Sequence, residues 1–143
     1  MQIEDLLKLW EEDSKIDQYS LGDEALKIPK LHSKYYRLYM TEKQLAIELA
    51  AALRVLKLQK TEFYTMGPSS AYPTTWVLPD FGRVPKTQAT EYVEADKDVI
   101  RLATTLSMQV EKTKLIESII NGLRERGFAI KNAIDMLKFQ SGA

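Results

Sequence analysis

The sequence predicts a mainly α protein in which long amphipathic helices flank a Pro/Gly-rich linker and the C-terminal helices drive assembly into a homo-oligomer. Three observations carry that reading. Apolar residues recur at three- and four-residue steps in both halves of the 143-residue chain. Pro68, Pro73, Pro79 and Pro85 fall with Gly67 and Gly82 between residues 67 and 86, a density that excludes a helix there. Finally, Val99, Leu102, Leu106, Gln109, Thr113, Ile116, Ile120 and Leu123 alternate by three and four, which is a heptad seam.

At the N-terminus, Ile3, Leu6, Leu7 and Trp10 predict a short amphipathic helix over 2–12. Gly22 and Pro29 interrupt the next segment, and Leu31, Tyr35, Leu38 and Tyr39 predict a helix that starts at Leu21 or Pro29 and ends at Met40. Thr41 followed by Gln44 forms a capping-box pattern, so a new helix is expected over 42–64, stopped by Gly67 and Pro68. Residues 67–90 form a linker too long for an ordinary connector, so the stretch is either a functional loop or an extended link between two helical arms. Its Tyr72, Trp76, Val77, Leu78 and Phe81 predict that it packs onto something, with room for a short strand at 76–78.

Beyond the linker, Asp96 is the expected N-cap of a helix starting at Lys97, with Asp98 opposing the positive helix end. Arg124 and Arg126 suit its last turn, and Gly127 with Phe128 read as its C-terminal stop. A last helix over 129–139 presents Ile130, Ile134 and Leu137. A helix of about 30 residues is about 45 Å long, so its seam needs another long helix to cover it. A neighbouring subunit is the favoured cover; a monomeric hairpin pairing 42–64 with 97–126 is the alternative. The organisation expected is an N-terminal helical region (1–66), the linker (67–90) and a C-terminal oligomerisation region (91–143).

Twenty basic and twenty acidic residues cancel, which by itself argues against a wholesale nucleic-acid or membrane binder. Resolved by segment, however, the chain is polarised. Residues 1–26 carry eight acids and two bases, a net of −6, whereas residues 27–66 carry eight bases and three acids, a net of +5. An acidic end beside a basic body points to nucleic-acid or partner binding. The longest apolar run, residues 49–53, is far short of the roughly 20 residues that span a bilayer. The acidic start MQIEDLL lacks a signal-peptide layout, so a soluble intracellular chain is expected.

No enzyme signature is present. Without cysteine there is no disulfide, thiolate metal site or cysteine nucleophile, and the single histidine, His32, excludes a multi-histidine metal cluster. None of the glycines is followed by lysine, so there is no phosphate loop. Asp96 and Asp98 are better explained by capping than by metal binding. No cofactor is therefore expected.

On the predicted helix 42–64, Leu45, Leu49, Ala52, Leu56 and Phe63 form the expected core stripe. Lys43, Arg54, Lys57, Lys60 and Tyr64 occupy a neighbouring sector whose one acid is Glu42. A basic strip ending in an aromatic suits single-stranded nucleic acid, because cations neutralise phosphates regardless of sequence and a ring offers any base a stacking face. These five are the candidate DNA contacts. The candidate oligomerisation residues are Val99, Leu102, Leu106, Ile116, Ile120 and Leu123 of the seam, with Phe128, Ile130 and Ile134 beyond it.

The residues ADKDV at 95–99, RGFAIK at 126–131, and Asp135-Met136 with Phe139 and Gly142 resemble the C-terminal part of the UvsY recombination mediator family of T-even-type bacteriophages. Glu4-Asp5-Leu6, Ile16-Asp17, Leu31, Ser33-Lys34 and Glu62-Phe63-Tyr64 are similar to its N-terminal half, in the same order. The resemblance implies a helical protein that forms a ring of six or seven copies in the host cytoplasm and binds single-stranded DNA without sequence preference. It also implies contacts with the phage single-strand DNA-binding protein and a RecA-like recombinase (UvsX type), which it loads onto DNA. Of the two family DNA-contact positions, one is Lys60 here. The other is Leu58, a departure that shifts the expected footprint toward Arg54, Lys57 and Lys60. The competing class is a coiled-coil scaffold that ignores nucleic acid.

Overall fold

The computed structural model describes residues 1–142. Its elements are α1 (Ile3–Asp13), α2 (Leu21–Met66), a 3-10 turn (Lys86–Gln88), α3 (Ala89–Glu94) and α4 (Lys97–Gln140), with no strand among the described residues. The chain divides into two compact units. One comprises Met1–Lys43 and Glu111–Ala143, the other Gln44–Val110, so α2 and α4 each contribute to both.

Two expected helix breaks do not occur. α2 is a single 46-residue helix. Thr41 does not cap a new one: its hydroxyl donates to the Arg37 carbonyl at 3.1 Å, and Gln44 donates to Glu48 at 3.3 Å. A capping residue must leave the helical region, and nothing around Thr41 forces it to do so. Pro29 lies inside the helix, where its missing N–H leaves the Ala25 carbonyl without a helical donor.

Likewise α4 runs for 44 residues through Gly127. Positive φ occurs at Gly67, Gly82 and Gly142 but not there, so the expected stop and separate last helix are absent. Leu123 and Ile130, one turn to either side, are buried, and packing outweighs the roughly 1 kcal/mol that glycine costs a helix.

In the first unit, Leu6 of α1, Tyr35 of α2, and Ile116, Ile119 and Leu123 of α4 form the core, with the Trp10 ring edge-on to Tyr35 at 5.5 Å. In the second, Phe63, Tyr64, Val84, Val93 and Val99 form the core. Part of the heptad seam therefore packs against this chain's own α2: Val99 clusters with Phe63 and Tyr64 in the second unit, and Ile116 and Leu123 with Tyr35 in the first. Val99, Gln109, Thr113, Ile116 and Leu123 are buried, while Leu102, Leu106 and Ile120 are half-buried.

The Pro-rich stretch is a packed loop rather than a spacer, and it contains no strand at 76–78. Gly67, at φ +93°, ends α2 and donates to the Phe63 carbonyl at 2.8 Å. The loop then folds back so that the Val84 N–H donates to the Tyr64 carbonyl at 2.8 Å. Tyr72 and Trp76 stack at 5.3 Å, and Phe63 meets both rings edge-on.

Candidate nucleic-acid interface

The start of α4 organises the second unit. Asp96 caps it as expected: its Oδ1 accepts from the backbone N–H of Asp98 at 2.9 Å and of Val99 at 3.2 Å. Its other oxygen accepts the Tyr64 hydroxyl at 2.6 Å and meets the Lys60 ammonium at 3.1 Å. Lys60 and Tyr64 reach the same carboxylate because residues four apart share one face of α2. The Lys60 ammonium also donates to Asp98 at 2.9 Å and sits 3.8 Å from the Trp76 ring centroid.

The titration of these groups reflects that geometry. Burial alone would push the Asp96 carboxyl up, but the bonds from Tyr64, Lys60 and the Val99 N–H hold it below the ordinary aspartate value. Burial and the same Asp96 contact push the Tyr64 phenol well above its usual range.

Lys60 and Tyr64, expected on the solvent-facing strip, are thus interior groups of the second unit, 3% and 9% exposed. Helical spacing assigns a lysine outward by default. It carries no sign of the two acids and the indole, from distant parts of the sequence, that enclose this one. The remaining strip residues of this unit are Arg54, exposed, and Lys57, partly exposed and paired with Glu94 at 3.0 Å. A surface pair of this kind is worth about 0–1 kcal/mol, so an incoming phosphate can displace Glu94 at little cost. Lys43 is exposed in the other unit. On the expected core stripe, Phe63 is buried and Leu49 and Leu56 half-buried, whereas Leu45 and Ala52 are exposed and Ala46 is buried instead.

Of the oligomerisation candidates beyond the seam, Ile130 is buried, Ile134 half-buried and Phe128 64% exposed. His32 is exposed, its ring stacked on Tyr36 at 6.1 Å. No group of three or more metal-ligating side chains occurs among the described residues. Helical spacing did not single out a second basic stripe, Lys27, Lys30, Lys34 and Arg37, on α2 in the first unit. Its 3, 4, 3 intervals are the signal that could have found it; in a segment-by-segment charge balance these residues register only as net charge.

The model of a family described as the recombination, repair and single-stranded-DNA-binding protein UvsY matches residues 9–143. The recombination protein uvsY of Enterobacteria phage T4 is 26% identical over 143 residues, covering 99% of each chain. Two crystal structures of the bacteriophage T4 recombination mediator protein UvsY superpose with TM-scores of 0.82 and 0.81, at 26% and 25% identity. The first match covers 99% of this chain and 98% of that one, the second 98% and 99%. The family match takes in all but the first eight residues, including the capped start of α4 and both basic stretches of α2: the chain belongs to the UvsY family of recombination, repair and single-stranded-DNA-binding proteins.

Proposed function

We propose that this chain is a non-enzymatic recombination mediator. It binds single-stranded DNA without sequence preference and helps load a RecA-like recombinase onto DNA coated with single-strand DNA-binding protein, in the cytoplasm of the infected cell. The observation that supports this most is the near full-length family match, joined to a whole-chain likeness to a recombination mediator. Region 1–66 supplies the DNA and partner contacts and region 91–143 the contacts between copies. The working DNA contacts are Arg54 and Lys57, with Lys43, because these are the strip cations that reach solvent. Few cations per chain are enough if six or seven copies form a ring, since sites joined in one assembly gain affinity through effective concentration.

The test is a salt titration of oligothymidylate binding. Affinity should fall steeply as salt rises. The double substitution Arg54→Ala with Lys57→Ala should weaken binding about tenfold and flatten the log–log salt slope by about 1.4, the value for two lost single-strand phosphate contacts. An unchanged slope would place the contacts elsewhere. No binding by the unaltered protein at low salt would leave the coiled-coil scaffold.

Contacts between copies are assigned to the end of α4, foremost the exposed Phe128 with the half-buried Ile134, ahead of the buried seam residues Val99, Ile116 and Leu123. Phe128→Asp should lower the sedimentation mass while leaving helix content unchanged. An unaltered mass would refute that assignment.

A further inference from the structure

The first unit contains a cleft of about 890 Å³ beside α2, bounded at its ends by Lys27 and Thr41 and closed on one side by Leu9 and Asp13 of α1. From Lys27 to Thr41 the helix axis advances about 21 Å. Lys27, Lys30, Lys34 and Arg37 all line the cleft, and at 100° per residue they fall within about 80° of one another, so they share one wall. Leu9, Leu31 and Leu38 supply an apolar floor.

The four cations are not equivalent. Lys27 pairs with Glu24 at 2.9 Å and Lys34 with Asp13 at 2.7 Å. Among the described residues, Lys30 and Arg37 have no ion-pair partner, and both are exposed. Among the described residues of the lining, Asp13 is the one acid, and its carboxylate is already occupied by Lys34 and the Tyr35 hydroxyl at 2.8 Å. Burial would push its carboxyl up, but these two bonds hold it down, so it remains charged and paired.

We propose that this cleft is a docking groove for an acidic amphipathic helix of a partner protein, whose aliphatic side chains enter between α1 and α2 while its carboxylates meet Lys30 and Arg37. The length of the wall accommodates about four turns, and an apolar floor beneath a cationic rim is the complement of a helix with one leucine-rich and one acidic face. The cleft suits a peptide better than a nucleic acid. Among the described residues no aromatic side chain lines it, so bases have no ring to stack on, and its floor is aliphatic. This goes beyond the DNA reading and is independent of it.

The test uses the full chain and a fluorescein-labelled synthetic helical peptide of about four turns, with leucine on one face and glutamate on the other. The protein should bind it, and Lys30→Glu with Arg37→Glu should weaken binding about tenfold. Both side chains are exposed and, among the described residues, without an ion-pair partner, so the variant should keep its helix content and melting temperature. Replacing the peptide's leucines by serine should cost a similar factor, which reads the floor. Oligothymidylate affinity should change by less than about twofold in the same variant. Four results overturn the proposal. The unaltered protein could fail to bind the peptide, or the variant could bind it equally well. An equal loss of oligothymidylate affinity, with oligothymidylate displacing the peptide, would assign the cleft to nucleic acid. A changed sedimentation mass in the variant would assign it to contacts between copies.

Discussion

Replacing Asp96 by alanine should lower the unfolding free energy by about 3–5 kcal/mol, the usual loss when one member of a buried ion pair is removed. The change affects three groups together: the buried Lys60 ammonium keeps Asp98 and the Trp76 ring but loses one carboxylate, the Tyr64 hydroxyl loses its acceptor, and the first turn of α4 loses its cap. Asp96→Asn separates these roles, because an amide oxygen can still cap but carries no charge. It should fall between the wild type and alanine in denaturant unfolding.

The pH dependence has a definite sign. The folded-state carboxyl titrates below its unfolded value of about 3.9, so its stabilisation is complete above that pH and is lost as pH falls through the depressed value. The stability gap between wild type and Asp96→Asn should therefore be constant above about pH 5 and close on further acidification. A gap that widens in acid would mean that the carboxylate is not held in its charged form.

Arg126→Ala should be about as severe, at about 3–5 kcal/mol, and should drop the melting temperature by about 10 °C or more. The guanidinium is 7% exposed and donates to the Asp13 carbonyl at 2.9 Å, the Lys15 carbonyl at 3.1 Å and the Glu24 carboxylate at 3.1 Å. It thereby satisfies the last carbonyl of α1, which has no partner within its own helix, and a second carbonyl two residues beyond the helix. Without it the buried Glu24 carboxylate keeps only Lys27 and the Asp17 backbone, and the end of α1 loses its tie to α4. Arg126→Lys should recover only part of the loss, since one ammonium cannot reproduce a planar fork spread over three acceptors. Full recovery by lysine would show that charge alone sufficed. Loss of the α1 contact should appear as faster amide exchange at the start of the chain.

Both predictions show which kind of signal the sequence transmits. Asp96 was legible as a cap because capping is local: a short acid, three residues before a buried valine, at the foot of a periodic run. Lys60 in the same cluster was not legible, since its partners lie 16 to 38 residues away and nothing in a helical wheel distinguishes a captured lysine from a solvated one. Arg126 reads from the sequence as the end of its own helix. In the folded chain it lies within α4 and serves the end of a different helix, over one hundred residues away in sequence.

The sequence by itself determined that the chain is helical, that proline and glycine interrupt it once after residue 66, that α4 starts at Asp96, and which family it resembles. All of these rest on interactions within a turn or two of backbone, or on residue identity. Only the tertiary structure decided that α2 and α4 run through Thr41 and Gly127, and that the Pro-rich loop closes over Phe63. It likewise decided that Val99, Ile116 and Leu123 of the seam pack against the chain's own α2 and that two of the five strip residues point inward. The physical reason is common to these cases. Helix breaks and side-chain burial are settled by packing from distant segments, whose energies exceed the 1 kcal/mol or so that a cap or a glycine contributes locally.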